Sequence, residues 1–200
     1  VSEALARIST PFCFICHDIG GHLPYGNDLD DYDRVADFLY ENYSDEDLRE
    51  LYEESVSKSV NKFVKLVDIL KQKDMYHKSL VIFTSDHGEM LGEYGGLWSH
   101  GRPIVPELVR TPMVLMGAGL PCDVSYNRVV SGVDLAPTLL GGLGSKIPSD
   151  ADGVDLWTET PPSDRLARTY LWQKSSRLPS EYKSTSFSDR DGGVTIHHGS

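Results

Sequence analysis

Short apolar runs alternate with one long amphipathic stretch, and this order constrains the fold more than any other feature of the sequence. The apolar runs lie at residues 11–17, 80–84 and 112–116, and each has the length of a buried strand. Residues 44–73 place apolar side chains mostly three or four positions apart, as in a helix with one buried face. Strands that alternate with helices predict an α/β fold with a mostly parallel sheet flanked by helices.

The long amphipathic stretch has recognisable helix boundaries. Ser44 and Asp47 form a variant of the capping-box pattern, and the apolar pattern ends near Lys73. A shorter helix is predicted before it, at residues 30–42. The side chains of the long helix that we expect to face the core are Leu48, Leu51, Val56, Val60, Phe63, Val64, Val67 and Leu70.

The chain after the second apolar run is predicted to be less regular. A Gly-rich loop extends from Ser85 to Gly101, and residues 128–130 are a candidate for a short edge strand. A helix is expected to begin at Asp134, since the Pro137 that follows is tolerated in a first turn.

The amino-acid composition changes beyond about residue 145, where Pro, Ser and Asp become frequent. Short runs at residues 169–172 and 194–197 predict a small antiparallel C-terminal β element. We therefore expect half of a catalytic domain at residues 1–145 and a small subdomain or tail at residues 146–200.

Composition narrows the classes of partner and compartment. The chain has 30 acidic and 19 basic residues, a formal net charge of −11, and no local Lys/Arg cluster, which excludes nucleic acid as a ligand of the surface as a whole. No apolar run reaches the roughly 18 residues of a membrane span. The odd count of three cysteines argues against a closed disulfide framework and favours a reducing compartment such as the cytoplasm.

Asp86 and His87 follow the predicted strand at residues 80–84, with Ser85 between. In open α/β sheets functional groups gather beyond the carboxyl ends of strands, and Gly88 permits a sharp turn there. A carboxylate oxygen and an imidazole nitrogen suit a divalent cation, and the nitrogen favours Mn or Zn over Ca. From these residues alone the alternative stays open that Asp86 only caps the loop and His87 is simply exposed.

Cys13, Cys16 and His17 match the Cys-x-x-Cys-His pattern of haem attachment. In a strand, residues three positions apart point to opposite faces, so Cys13 and Cys16 could not both bind one haem. We therefore interpret both residues as core cysteines of the strand predicted at residues 11–17.

The run Thr-Ser-Asp-His-Gly-Glu at residues 84–89, preceded by a long helix and an apolar strand, resembles the pattern of the sulfatase family of the alkaline-phosphatase superfamily. Further segments resemble that family in the same order: His-x-Pro-Tyr at 22–25, Glu-Leu-Val-Arg-x-Pro at 107–112, the helix opening at 134–140 and the turn at 152–156. The resemblance implies an alkaline-phosphatase-like fold, of which this chain represents the C-terminal half of the catalytic domain.

The resemblance also implies roles for particular residues. Asp86 and His87 would bind the single catalytic metal ion, for which calcium is typical of the family. His22 and His100 would be catalytic and would bind the substrate, His22 at the sulfate or phosphate oxygens and His100 near the leaving group. Arg102 is a second candidate for the role of His100. Such groups stabilise the negative charge that develops as the ester bond breaks.

The sequence departs from the family pattern in two respects. The Cys/Ser-x-Pro-x-Arg segment that provides the family's nucleophile is not found around any of the three cysteines, and an acidic segment with further metal ligands is not found either. Both belong to the first half of the family's domain, so this chain is expected to need a missing N-terminal half. The implied activity is hydrolysis of a sulfate ester of a small molecule or glycan. The alternatives are phosphodiester or phosphonate monoester hydrolysis, and a non-catalytic sulfatase-like fragment.

Overall fold

The computed structural model shows two compact units. The described residues are Leu5, Arg7, Ser9, 11–25, 38–100, 104–120, 127–174, 182–190 and 193–198, with side chains described up to residue 169. The first unit comprises Val1–Phe83, Gly88–His100 and Gly117–Gly119, and the second comprises Thr84–His87, Gly101–Met116 and Leu120–Ser200.

A long helix, α1 (Asp45–Gln72), is the main element of the first unit. Its cap is Ser44, whose Oγ accepts a hydrogen bond from the Asp47 N–H (3.2 Å), while the Asp47 carboxylate accepts one from the Ser44 N–H (3.0 Å). Acidic residues in the first turn and Lys71 in the last turn suit the helix dipole. Both predicted ends of the helix are confirmed, because the C-cap is Lys73.

The buried face of α1 is narrower than the sequence predicts. Leu48 and Val67 are buried as expected, but Val60 and Val64 are 41% and 48% exposed. The prediction that these two valines face the core is therefore wrong. The described residues of the first unit bury only part of each side chain.

The core of the first unit lies near the start of α1. Leu23, Tyr25, Leu39 and Leu48 are buried together, with Leu51, Tyr52 and Trp98 packed against them. Residues 38–42 are helical, which agrees with the end of the helix predicted at residues 30–42, while residues 26–37 lie outside the described part of the chain.

The structure differs from the prediction of a buried strand at residues 11–17. Residues 11–19 form no strand, and Ile15 and Ile19 are 84% and 65% exposed. Cys13 and Cys16 are exposed free thiols, so the interpretation of both as core residues is wrong. Because this segment is not a strand, the two side chains are not constrained to point to opposite faces. An apolar run becomes a buried strand only beside a neighbouring strand, and among the described residues no strand pairs with this run.

The strand predicted after α1 is confirmed as β1 (Leu80–Thr84). Phe83 of this strand packs on Phe63 of α1, with ring centroids 4.9 Å apart. The backbone of Gly117 passes close to the turn before β1, at a φ of +84°, and a Cβ atom there would lie 2.3 Å from the Ser79 carbonyl oxygen. Glycine is therefore required at this position.

The predicted Gly-rich loop contains a β-hairpin. Its elements are β2 (Met90–Gly92), a four-residue turn α2 (Glu93–Gly96) and β3 (Leu97–Ser99), and the two strands pair antiparallel. Arg49 of α1 donates two hydrogen bonds from its guanidinium to the Leu91 carbonyl oxygen, at 3.0 and 2.8 Å. The hairpin is thus fixed on the first half of the long helix.

In the described part of the second unit, two further helices and a strand precede the C-terminal strands. They are α3 (Pro106–Val109), β4 (Met113–Gly117, whose last residue belongs to the first unit) and α4 (Leu135–Gly142), which follows a 3₁₀ turn at Gly132–Asp134. The strand predicted at residues 112–116 and the helix predicted to begin at Asp134 are confirmed. The edge strand predicted at residues 128–130 is wrong, since those residues are irregular.

The chain ends in a small antiparallel sheet, as predicted. Strands β5 (Ala167–Lys174), β6 (Tyr182–Arg190) and β7 (Gly193–His198) follow one another in the order β5–β6–β7. In the described part of the chain no helix has both the length and the apolar character required to cross a membrane.

The second unit is organised around a fully buried carboxylate, that of Asp134. Arg165 donates to both of its oxygens, from Nη1 at 2.7 Å and from Nη2 at 2.6 Å. The backbone N–H groups of Ser131 and Val154 donate to the same carboxylate at 2.8 and 2.9 Å. A buried charge is tolerated only with such partners, so this ion pair fixes the start of α4 against the later chain.

Substitution of Arg165 tests whether the stability of the second unit depends on its ion pair with Asp134. Arg165→Ala should lower the free energy of unfolding by about 3–5 kcal/mol, because the Asp134 carboxylate would stay buried without its ionic partner. The matched control is Arg168→Ala at an exposed position, which should change stability by less than about 0.5 kcal/mol. Urea unfolding followed by circular dichroism measures both, and equal midpoints would contradict the structural role of the pair.

Candidate active site

The loop that holds His22 is anchored on α1 by residues just before it. The Gly21 N–H donates to Ser55 Oγ at 3.1 Å, and the φ of Gly21 is +84°, a conformation that favours glycine. Asp18 accepts hydrogen bonds from Ser59 Oγ and from Lys62 Nζ (2.7 Å), and these contacts lower the pKa of the Asp18 carboxyl below its usual value, Lys62 contributing most. Hydrogen bonds of Asp18 and Gly21 with α1 therefore fix the start of the loop that holds His22.

Tyr25 closes the His-x-Pro-Tyr loop and is almost fully buried, with 2% of its surface exposed. Its ring packs edge-on against Tyr52 of α1, with centroids 5.7 Å apart, and its hydroxyl donates to Glu89 Oε1 at 3.1 Å. Burial, followed by the nearby charge of Glu89, raises the pKa of the Tyr25 phenol well above its usual value. The φ of Tyr25 is +53°, which costs about 1 kcal/mol or more for a non-glycine residue.

Glu89 lies just before β2 and is buried, although glutamate is seldom fully buried without a partner. One carboxylate oxygen accepts from Tyr25, and the other lies 3.1 Å from His100 Nδ1. The sequence motifs assign no role to Glu89 or Tyr25. The signal available was a carboxylate placed directly before the apolar Met90-Leu91 pair, because a glutamate next to buried residues needs hydrogen-bond partners.

The two histidines assigned to the substrate lie side by side in the first unit. The rings of His22 and His100 have centroids 4.7 Å apart and are tilted by 57°. His22 Nδ1 lies 2.5 Å from the Leu23 carbonyl oxygen, and His100 follows directly after β3. Two residues 78 positions apart in the sequence are thus brought together by the loop on α1 and by the hairpin.

Asp86 and His87 belong to the second unit and come one residue after the end of β1, as predicted. Thr84 Oγ1 donates to the Pro112 carbonyl oxygen at 2.9 Å, and Ser85 Oγ donates to the His87 carbonyl oxygen at 2.5 Å. The Asp86 carboxylate accepts from the His87 N–H at 3.0 Å. These contacts hold the turn after the strand, so that both side chains extend from one short segment.

The Asp86–His87 pair has a donor set and spacing that fit a divalent cation. His87 Nε2 and Asp86 Oδ2 are 3.9 Å apart, and their side chains are 39% and 82% exposed. Two ligands about 2.1 Å from one Zn²⁺ can lie at most about 4.2 Å apart, and the limit is wider for the longer bonds of Ca²⁺. Both ions are therefore compatible with this pair.

Arg102, the second candidate for the role of His100, lies outside the described residues. The structure brings His22 and His100 together in the first unit, and it places Asp86 and His87 together in the second.

Relatives of known sequence match from about half to almost all of the chain. The Sulfatase family model matches residues 2–145. The low-salt glycan biosynthesis sulfotransferase Agl7 of Haloferax volcanii is 40% identical over 202 residues, which cover 98% of this chain and 49% of Agl7. Arylsulfatase K of Mus musculus is 29% identical over 113 residues, which cover 56% of this chain and 20% of the mouse protein. This chain spans about half the length of Agl7 and less of arylsulfatase K.

Solved structures share the fold at low sequence identity. The phosphonate monoester hydrolase SpPMH from Silicibacter pomeroyi has a TM-score of 0.64 at 20% identity, covering 86% of this chain and 36% of its own. BT4656, in complex with its substrate D-glucosamine-2-N,6-O-disulfate, has a TM-score of 0.59 at 20% identity, covering 83% of this chain and 36% of its own. This likeness confirms the predicted α/β, alkaline-phosphatase-like fold. With a family model matched over residues 2–145, the chain belongs to the sulfatase family.

Proposed function

We propose that this chain is the second half of a sulfatase catalytic domain, which hydrolyses sulfate esters when the first half supplies the nucleophile. The observation that supports this most directly is the pair of histidines, His22 and His100, whose rings lie 4.7 Å apart within the region matched to the family. Both rings contact fixed acceptors, the Leu23 carbonyl and the Glu89 carboxylate. A pair held in this way is preorganised for an anionic group.

The chemistry of sulfate ester cleavage explains why two imidazoles would be useful. Negative charge grows on the sulfuryl oxygens and on the departing alkoxide as the S–O bond breaks. With both ring nitrogens protonated, His22 would donate a hydrogen bond from Nε2 to a sulfuryl oxygen while Nδ1 stays on the Leu23 carbonyl oxygen. His100 would donate a proton to the leaving oxygen. Histidine suits the second role because its usual pKa of about 6.5 lies near neutrality.

The sulfatase family is metal-dependent, and we propose Asp86 and His87 as two of the ligands in the complete protein. A bound divalent cation would neutralise charge on the sulfate group as a Lewis acid. Calcium is the ion implied by the family, while the imidazole ligand also suits Mn or Zn. The 3.9 Å spacing of the two donor atoms is compatible with each of them.

The substrate class that we propose is a sulfated glycan. Agl7 is named for glycan biosynthesis, and BT4656 is described with a sulfated glucosamine as its substrate. A second candidate is transfer of the sulfuryl group to a glycan hydroxyl, because Agl7 is named a sulfotransferase and is 40% identical across nearly all of this chain. Cleavage of phosphonate monoesters is a third, supported by the likeness to SpPMH.

We propose the first half of the domain as the partner of residues 11–19. Most of these residues are apolar and none of them lies in a strand, yet Ile15 and Ile19 are largely exposed. Because the chain spans about half the length of Agl7, a strand from the remaining half of the domain is the occupant that fits such an unpaired run. The alternative, a non-catalytic fragment, would leave this surface uncovered.

Metal uptake tests the role of Asp86. In the protein that contains both halves of the domain, Asp86→Ala should abolish binding of one equivalent of metal, because a charged oxygen ligand is lost. Asp150→Ala, at an exposed position of the same unit, is the matched control and should retain the metal. Elemental analysis after dialysis gives the stoichiometry, and a full equivalent in Asp86→Ala would exclude this residue as a ligand.

Hydrogen exchange tests the partner of residues 11–19. The amides of this segment should exchange rapidly in the present chain and at least about tenfold more slowly in the protein that contains both halves, since a paired strand protects its N–H groups. Amides in the middle of α1 serve as the internal reference, because they are already hydrogen-bonded within the helix. Equal exchange of residues 11–19 in both proteins would contradict strand pairing.

A further inference from the structure

We propose that Glu89 is a positioning residue that fixes the ring orientation and the tautomer of His100, and that Tyr25 holds Glu89 in place for this purpose. The proposal rests on the role proposed above for His100. Neither Glu89 nor Tyr25 was assigned a function by the motifs, and both lie in the first unit with His100.

The contact between Glu89 and His100 has a defined direction. Glu89 Oε2 lies 3.1 Å from His100 Nδ1, and the side chains are 3% and 31% exposed. An ionised carboxylate only accepts hydrogen bonds, so the proton of this bond belongs to Nδ1 of the imidazole. In the neutral ring the second nitrogen, Nε2, then has the lone pair, and it is the nitrogen through which His100 exchanges a proton with another group.

Tyr25 determines which way the Glu89 carboxylate points. The Tyr25 hydroxyl donates to Glu89 Oε1 at 3.1 Å from a ring that is itself buried and packed on Tyr52. Burial and the charge of Glu89 raise the pKa of the Tyr25 phenol, so Tyr25 keeps its proton and remains the donor. The two oxygens of Glu89 therefore have different fixed partners, and the carboxylate cannot rotate without breaking one of these bonds.

For the reaction, the contact with Glu89 matters because it fixes the orientation of the His100 ring. To donate a proton, His100 must carry protons on both ring nitrogens, so that Nδ1–H stays bonded to Glu89 and the Nε2 proton passes to the leaving oxygen. Such a donor is effective only when Nε2 is held within hydrogen-bonding reach of that oxygen. Without Glu89 the His100 ring would lose its 3.1 Å contact at Nδ1, and the longer 3.5 Å contact with Ser99 Oγ would not select a tautomer because a hydroxyl can donate or accept. The loss should be greatest for esters with poor leaving groups, which need a proton as the bond breaks, and smallest for aryl esters that leave as stable anions.

The tautomer can be measured in the present chain without any enzymatic activity. Long-range ¹H–¹⁵N correlation spectra, recorded well above the usual histidine pKa of about 6.5, report which ring nitrogen bears the proton. The His100 signal is identified by its loss in His100→Gln. In the wild-type chain we expect the proton on Nδ1, and a proton on Nε2 would overturn the proposal whether or not any variant folds.

Substitution of Glu89 gives the second arm of the test. Glu89→Gln preserves the shape and the bond from Tyr25 but presents an amide N–H₂ to Nδ1, so the proton should move to Nε2. Tyr25→Phe should retain the Nδ1 proton but lower the melting temperature more than the control Tyr52→Phe, because only the Tyr25 hydroxyl bonds the buried carboxylate. An unchanged Nδ1 proton in Glu89→Gln would contradict the positioning role.

Activity separates this proposal from the proposed function. In the protein that contains both halves, Glu89→Gln should slow release of sulfate from an alkyl sugar sulfate at least about tenfold more than from 4-nitrophenyl sulfate. Equal slowing of both substrates would overturn the positioning role while leaving sulfatase activity established. If the His100 tautomer changes in Glu89→Gln as expected but the wild-type protein cleaves no sulfate ester, the proposed function is wrong. The positioning of His100 by Glu89 is then confirmed without a role in sulfate ester hydrolysis.

Discussion

The buried Glu89 carboxylate requires hydrogen-bond donors from two distant parts of the chain, and the geometry of the candidate site depends on that requirement. Tyr25 supplies one donor from the loop anchored on α1, and His100 supplies the other from the end of the hairpin. An unpaired carboxylate at this depth would cost several kcal/mol, so the loop and the hairpin are held together by the same interaction that orients His100. His22 is then placed beside His100 by the loop.

Local signals in the sequence predicted the parts of the structure that local interactions determine. The Ser44 cap gave the start of α1 correctly because the capping hydrogen bonds join residues only three positions apart. The strand at Leu80–Thr84 and the Asp86–His87 pair after it followed from a short apolar run that ends in polar residues. The juxtaposition of His22 and His100 followed from family resemblance, since no spacing rule relates residues so far apart.

The remaining features depend on contacts that no single segment reveals. The run at residues 11–17 has the composition of a buried strand, but burial requires a neighbouring strand, and the chain spans about half the length of its relative Agl7. The hairpin at Met90–Ser99 was missed because its glycines suggest a loop, whereas pairing and the Arg49 contacts stabilise short strands there. The role proposed for Glu89 could not be predicted from the sequence either, because it depends on partners that are distant in the chain and not on neighbouring residues.

We propose that His22 and His100 of this chain act on a sulfate ester within a completed sulfatase domain. The rate of sulfate release from a sulfated glycan and from 4-nitrophenyl sulfate, measured for the protein that contains both halves and for its His22→Ala and His100→Ala variants, tests this directly. We expect release by the wild-type protein and a loss of about 100-fold or more in each variant on the glycan. Wild-type rates in both variants, or cleavage of phosphonate monoesters with no release of sulfate, would contradict it.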